Sequence, residues 1–245
     1  MRFILGTCLL LAGSFGLQAG LVNSYSFTTD ASDSVGGKNG TLIGTANIAG
    51  NAVQLDGSST VSLPNGIMTG LNSFTIESWY TWSGSGVWPF LFDFGGTSSS
   101  YLLFTVNNGA SFTPQFNITN SGPSGEQHLT SATAKAGGPS YAVITYDAPS
   151  TTANLYINTT LVATNTGITL KPSNLGSTTP NILGGAGFNG QIDEFRIYNT
   201  ALSANEMLVN AIAGPNAVTT PEPATFGMIG MGLISIALVR RKSRA

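Results

Sequence analysis

Residues 188–207 read FNGQIDEFRIYNTALSANEM. Between Gly190 and Tyr198 the apolar positions Ile192, Phe195 and Ile197 mark a strand with one break in its alternation, at Asp193–Glu194. A β-bulge there restores the register. Asn199–Thr200 turns the chain, and Ser203-Ala204-Asn205-Glu206 has the spacing of a capping box. In that arrangement Ser203 accepts from the amide of Glu206, and Glu206 reaches back to the amide of Ser203. The helix so started ends at Gly214–Pro215.

Upstream, short alternating runs recur at roughly 8–12-residue spacing, between Gly-rich turns. Asn23–Thr28, Thr41–Ile43, Ala52–Leu55 and Thr60–Leu63 come first. Ser73–Trp82 (SFTIESWYTW) is the clearest, with Phe74, Ile76, Ser78, Tyr80 and Trp82 on one face and Thr75, Glu77, Trp79 and Thr81 on the other. Trp88–Phe94 and Tyr101–Val106 flank a Gly-Gly-Thr-Ser hairpin loop, followed by Pro114–Thr119, Gln127–Thr133, Tyr141–Asp147, Ala153–Asn158, Leu161–Thr164 and Asn181–Leu183. Many strands and one short helix predict a sandwich or barrel.

The passages GTLIG, AVQLDGSSTVSLP, SFTIESW, YAVITYD and GQIDEFRIYNTALS together resemble the laminin-G-like, concanavalin A-like jelly-roll domains. The resemblance runs from about Ser24 to the helix. It implies an all-β fold, a two-sheet antiparallel jelly-roll sandwich, with the first and last strands paired. The sequence departs from the family twice. Gly138-Pro139-Ser140-Tyr141 stands where a Trp and a His are usual, and Asn158-Thr159 replaces the Asp-Gly hairpin. Thr is a poor residue for a type I′ turn, which needs positive φ. The family contains binding modules, adhesion domains and parts of enzymes, so the fold leaves the function open.

Both ends differ from the fold. Arg2, an apolar run from Phe3 to Leu11 and small residues at Ala19–Gly20 read as a signal peptide over 1–19. A first buried strand is the alternative. The jelly roll then occupies 20–214 and a linker 215–223. The tail TTPEPATFGMIGMGLISIALVRRKSRA resembles the PEP-CTERM sorting signal. Pro221, Glu222 and Pro223 form the motif, and Ala224–Val239 is uncharged. As helix this run of about 16 residues spans ~24 Å, slightly short of a comfortable membrane span. Arg240, Arg241, Lys242 and Arg244 form a basic end that stays cytoplasmic. The resemblance implies export, anchoring by a transmembrane sorting helix, and processing by an exosortase. An ordinary single-pass anchor is the alternative.

Composition narrows the chemistry. Only 8% of the 245 residues are charged, while 13 Phe, 7 Tyr and 3 Trp exclude a disordered chain. Between residues 20 and 219 the bases Lys38, Lys135, Lys171 and Arg196 face ten acids, a net charge of −6 that argues against nucleic acid. The one cysteine, Cys8, lies in the signal peptide, so the sandwich has no disulfide.

Catalysis finds little support. His128 is the only histidine, there is no G-x-S-x-G elbow, and zinc sites built from paired His or Cys are excluded. Glycoside hydrolysis needs two carboxyls across a cleft, but Glu77 has no partner acid on its strand and reads as a structural hydrogen-bonding group. Calcium suits oxygen ligands, and the resemblance implies a site near the paired termini. Its candidates are Asp30, Asp33, Asn39 and Asp193, with Asx-turns as the other reading of the first two. Tyr80, Trp82, Trp88 and Tyr101 are the candidate sugar-stacking residues, with burial in the core as the alternative. The expected function is non-catalytic binding of polysaccharide, an exopolysaccharide of the cell envelope or matrix. The alternatives are a structural or adhesive protein with protein partners and, remotely, a glycan-active enzyme.

Overall fold

The computed structural model describes residues 20–217 except 97–98 and 135–136. The expected signal peptide, sorting motif, membrane segment and basic end lie outside the described residues. Among those described, no helix is long and apolar enough to cross a membrane.

Among the described residues, fifteen strands and one α-helix, with two short 3-10 helices at Pro123–Gly125 and Pro172–Asn174, follow in order. They are β1 (Leu21–Tyr25), β2 (Thr41–Ile43), β3 (Asn47–Ala49), β4 (Ala52–Asp56), β5 (Thr60–Leu63), β6 (Phe74–Trp82), β7 (Phe90–Phe94) and β8 (Tyr101–Thr105). Then come β9 (Gln115–Thr119), β10 (Gln127–Thr130), β11 (Gly138–Asp147), β12 (Thr152–Ile157), β13 (Thr160–Asn165), β14 (Asn181–Gly185), β15 (Asn189–Tyr198) and α1 (Ala204–Ala213). Two antiparallel sheets form the sandwich. An eight-stranded sheet runs β13-β12-β11-β6-β15-β4-β3, with β1 added on β15, and a seven-stranded sheet runs β10-β9-β8-β7-β14-β5-β2. The first and last strands pair, Tyr25 opposite Phe195.

The stretch 188–207 forms as its pattern predicts. The register of β15 on β6 shifts between Ile192 and Glu194, so a bulge absorbs the extra residue. Gly190 sits at φ 154°, and a Cβ there would lie 2.0 Å from the Thr81 carbonyl oxygen, so no other residue fits without moving β6. Ser203 caps α1: its Oγ accepts from Glu206 N at 3.3 Å, and its own amide donates to Glu206 Oε2 at 2.8 Å. At the other unusual turn, Asn158 and Thr159 adopt φ 50° and 67°, so the hairpin keeps the primed conformation in spite of Thr.

Between the sheets lies one core. Phe92, Phe104, Phe116 and Leu129 from the seven-stranded sheet meet Phe74, Ile76, Tyr80, Ile192 and Phe195 from the eight-stranded sheet. Phe195 sets its edge against the faces of Phe92 and Phe94, 5.7 and 6.2 Å away. The other side of the eight-stranded sheet is covered too. Met207 of α1 packs on Trp79, Tyr141 and Val143, which buries both faces of β6. Just past the helix, the amide of Asn216 donates to Glu194 and the carbonyl of Ala217 accepts from Arg196.

Candidate functional site

Three places concentrate polar side chains. Beneath α1, Glu77 is fully buried and accepts from the hydroxyls of Tyr141 at 2.6 Å and Tyr198 at 2.8 Å, and from Asn210 Nδ2 at 2.9 and 3.0 Å. Burial pushes its carboxyl above the usual range, opposed by these donors and by Arg196. Arg196 Nε donates to Glu194 Oε1 at 2.7 Å, and its Nη2 donates to the Ala217 carbonyl at 2.8 Å. Its guanidinium carbon lies 4.7 Å from the centre of the Trp79 ring, which stacks on Tyr141. Burial works against the charge on Arg196, but Glu194 holds the guanidinium protonated. Every oxygen of Glu77 and Glu194 has a protein donor, and α1 lies over Glu77. The cluster fastens the helix and the segment after it to the sheet.

At the start of the chain Asp33 is 6% exposed. Its Oδ1 accepts from the amides of Ser24, Val35 and Gly36, and its Oδ2 accepts from Lys38 N and Asn23 Nδ2. Asn39 Oδ1 faces the amide of Asp33, and Asp30 closes an Asx-turn on Ser32. Asp193 is not with them. It accepts from Gln191 and lines a shallow depression of about 500 Å³ with Trp79, Pro139 and Pro215.

The third place is the outer face of the seven-stranded sheet. Because Phe92, Phe104, Phe116 and Leu129 point into the core, their neighbours point out. The register places Ile182, Asp93, Leu103, Asn117 and His128 side by side in one row across β14, β7, β8, β9 and β10. At ~4.8 Å per strand this row is about 19 Å long. Gln115 Nε2 donates to Asn117 Oδ1 at 2.6 Å, while Gln115 Oε1 accepts from Asn108 and Thr130. With its oxygen so used, Asn117 offers its amide as a donor. Asp93 offers the opposite. It is 7% exposed and its Oδ1 has no hydrogen-bond partner. Both oxygens pack on Gly96, where a Cβ would lie 1.9 Å from Oδ2 and 2.3 Å from Oδ1, so only glycine lets the loop close on the carboxylate. Burial pushes Asp93 up to about 6, opposed by the amide of Gly96.

The four expected stacking residues divide between core and rim, which corrects the expected platform. Tyr80 and Trp82 face the core, 1% and 3% exposed, because β6 turns their side to the opposing sheet. Tyr101 lies on the outer face two residues along β8 from Leu103, beside the middle of the row, where its hydroxyl donates to Glu126 at 2.5 Å. Trp88 is half-buried just before β7, at φ 61°, and lies with exposed Val87 against Gly109. Asp93, Leu103, Gln115, Asn117 and His128 were not expected as site residues. One signal points to Asp93: it is the lone acid in the apolar run FLFDF.

Residues 55–207 match the family model of the concanavalin A-like lectin/glucanases superfamily. The chain belongs to that superfamily. Residues 219–242 match the PEP-CTERM protein-sorting motif, which marks export and sorting at the membrane. A search of curated protein sequences found no match. Among solved structures, the sandwich is similar to domain 4 of AbnA, an extracellular arabinanase of Geobacillus stearothermophilus, in complex with arabinotriose. The identity is 22%, the coverage 77% of this chain and 97% of that one, and the TM-score 0.61. It is also similar to the CBM40 of the Ruminococcus gnavus IT-sialidase bound to α2,3-sialyllactose, at 18% identity, 57% and 82% coverage and a TM-score of 0.50. The binding domain of botulinum neurotoxin serotype C1 is 13% identical, with 80% and 53% coverage and a TM-score of 0.60. At these identities the likeness establishes the fold.

The calcium expected near the termini would meet residues already engaged by the protein. Asp33 already receives five N–H donors, and a cation would have to displace them. Among the described residues no three acidic, His or Cys side chains gather as a metal group. Chelator is therefore expected to leave the melting temperature unchanged. Differential scanning calorimetry with calcium and with chelator checks this, and a calcium-dependent rise of several degrees would contradict it.

Proposed function

We propose that this superfamily member is a non-catalytic carbohydrate-binding protein of the cell envelope, and that the glycan lies along the row Asp93–Leu103–Asn117–His128. The observation that carries the reading is the unpartnered, buried Oδ1 of Asp93 on an outward face. A buried acceptor without a donor is costly, and a sugar hydroxyl supplies the donor. Asn117, 1% exposed, has its donor two strands away, about 10 Å at ~4.8 Å per strand, and Leu103 between them, 6% exposed, adds an apolar contact. The carbohydrate complexes of the two similar bacterial modules support the same reading. The sorting motif supports delivery by an exosortase to the envelope or outer surface, where polysaccharide is the abundant polymer. Electrophoresis of the protein through gels containing the producing cell's exopolysaccharide tests the proposal. Retardation is expected, and unaltered mobility across polysaccharides would overturn it.

The carboxylate makes binding depend on pH. Above about 6 Asp93 is charged and accepts strongly from hydroxyls; below it the carboxyl is protonated. Affinity is thus expected to fall several-fold from pH 7 to pH 5, measured by titration calorimetry. The stability of the unliganded fold moves the other way. The folded-state value of Asp93 lies above the 3.8 of a free carboxyl, so the fold takes up the proton more readily than the unfolded chain. Its contribution to stability therefore grows as pH falls from about 6 towards 4.

A further inference from the structure

We infer that the face around Asp93 selects uncharged glycans and rejects those bearing uronate or sulfate. The inference rests on the carbohydrate reading of that face and narrows its ligand class. The hydrogen-bond chemistry comes first. Asp93 Oδ1 is an acceptor in need of a donor. A hydroxyl brings one, whereas an ionised carboxylate or sulfate brings acceptors only and sets like charges against each other.

The charge inventory of the sheet agrees. None of the strands β2, β5, β7, β8, β9, β10 and β14 contains a Lys or an Arg. Arg196 is fully buried under α1 in the other sheet, and Lys38 donates to the Gly66 carbonyl. The acids are on the site's side: Asp93 lies in the row, and Glu126 holds Tyr101 beside it on β8. Anionic sugars are ordinarily held by Arg or Lys forks, and this face has none on its strands. Asn117 and Gln115 are neutral and bonded in series, so they cannot turn the face cationic.

The test uses the full exported protein with three probes of matched length: arabinotriose, a neutral gluco-oligosaccharide and trigalacturonate. At least one neutral probe is expected to bind, with trigalacturonate at least about tenfold weaker. His128 is exposed at the end of the row, so His128→Lys adds a cation without disturbing the core. That variant is expected to narrow the gap by raising trigalacturonate binding. Trigalacturonate binding as tightly as the neutral probes would overturn the selectivity and leave the site standing. Binding of none of the three, with calorimetry showing an intact fold, would overturn the carbohydrate reading itself.

Discussion

Replacing Arg196 with alanine is expected to cost about 3–5 kcal/mol of folding stability. That is a large part of the ~5–15 kcal/mol typical of a domain. The reason is the burial of what remains. Arg196, Glu77 and Glu194 are each 1% exposed or less. Without the guanidinium, two carboxylates stay in the interior facing neutral partners. Glu194 loses its 2.7 Å bond, and Glu77 loses the positive charge whose Nη1 stands 3.8 Å from Oε2. That longer contact is no hydrogen bond, so its contribution is electrostatic. The substitution also releases the Ala217 carbonyl and the face of Trp79, loosening the segment that leads to the sorting motif. Urea unfolding monitored by Trp fluorescence measures the effect. A loss below about 1 kcal/mol would show that the cluster is not what fastens the helix, since so small a cost is typical of exposed ion pairs.

Asp93→Ala is expected to give the opposite pattern, a loss of ligand binding with no loss of fold. Removing a charged acceptor from a sugar hydroxyl costs about 1.5–3 kcal/mol, or roughly 10–100-fold in affinity. The fold, in contrast, carries the desolvation of this carboxylate with Oδ1 unpaired, and deleting it relieves that cost. The melting temperature of the variant is thus expected to equal or exceed that of the parent. Titration calorimetry and scanning calorimetry on the same two proteins separate the terms. A variant that melts much lower would make Asp93 a structural residue, and one that binds unchanged would remove it from the site.

These sites illustrate what the sequence discloses. The bulge at Asp193–Glu194 and the capping box at Ser203–Glu206 are local features, and both stand in the structure as their spacing implies. Their partners come from within a few residues. Glu77 was legible as a structural acid because no second acid accompanied it, but its donors Tyr141, Tyr198 and Asn210 come from distant parts of the chain. The side of Tyr80 and Trp82 was not legible for a different reason. Alternation distinguishes core from solvent only when one face is wet, and α1 dries the second face of β6. The row through Asp93 depends on the pairing of five strands, and pairing register is a tertiary property. The expected domain boundary at 214 followed the helix stop. The hold on Asn216 and Ala217 comes from Glu194 and Arg196, which no local pattern connects to them.

The central claim is that the outward row of the seven-stranded sheet holds the glycan. Side-chain resonances test it most directly. In a titration of the isotope-labelled protein with arabinotriose or another bound neutral oligosaccharide, the amide groups of Asn117 and Gln115 and the ring of His128 are expected to shift together. The same titration of Asp93→Ala is expected to leave them still. Shifts confined instead to Trp79, Gln191 and the α1 side of the other sheet would contradict the account.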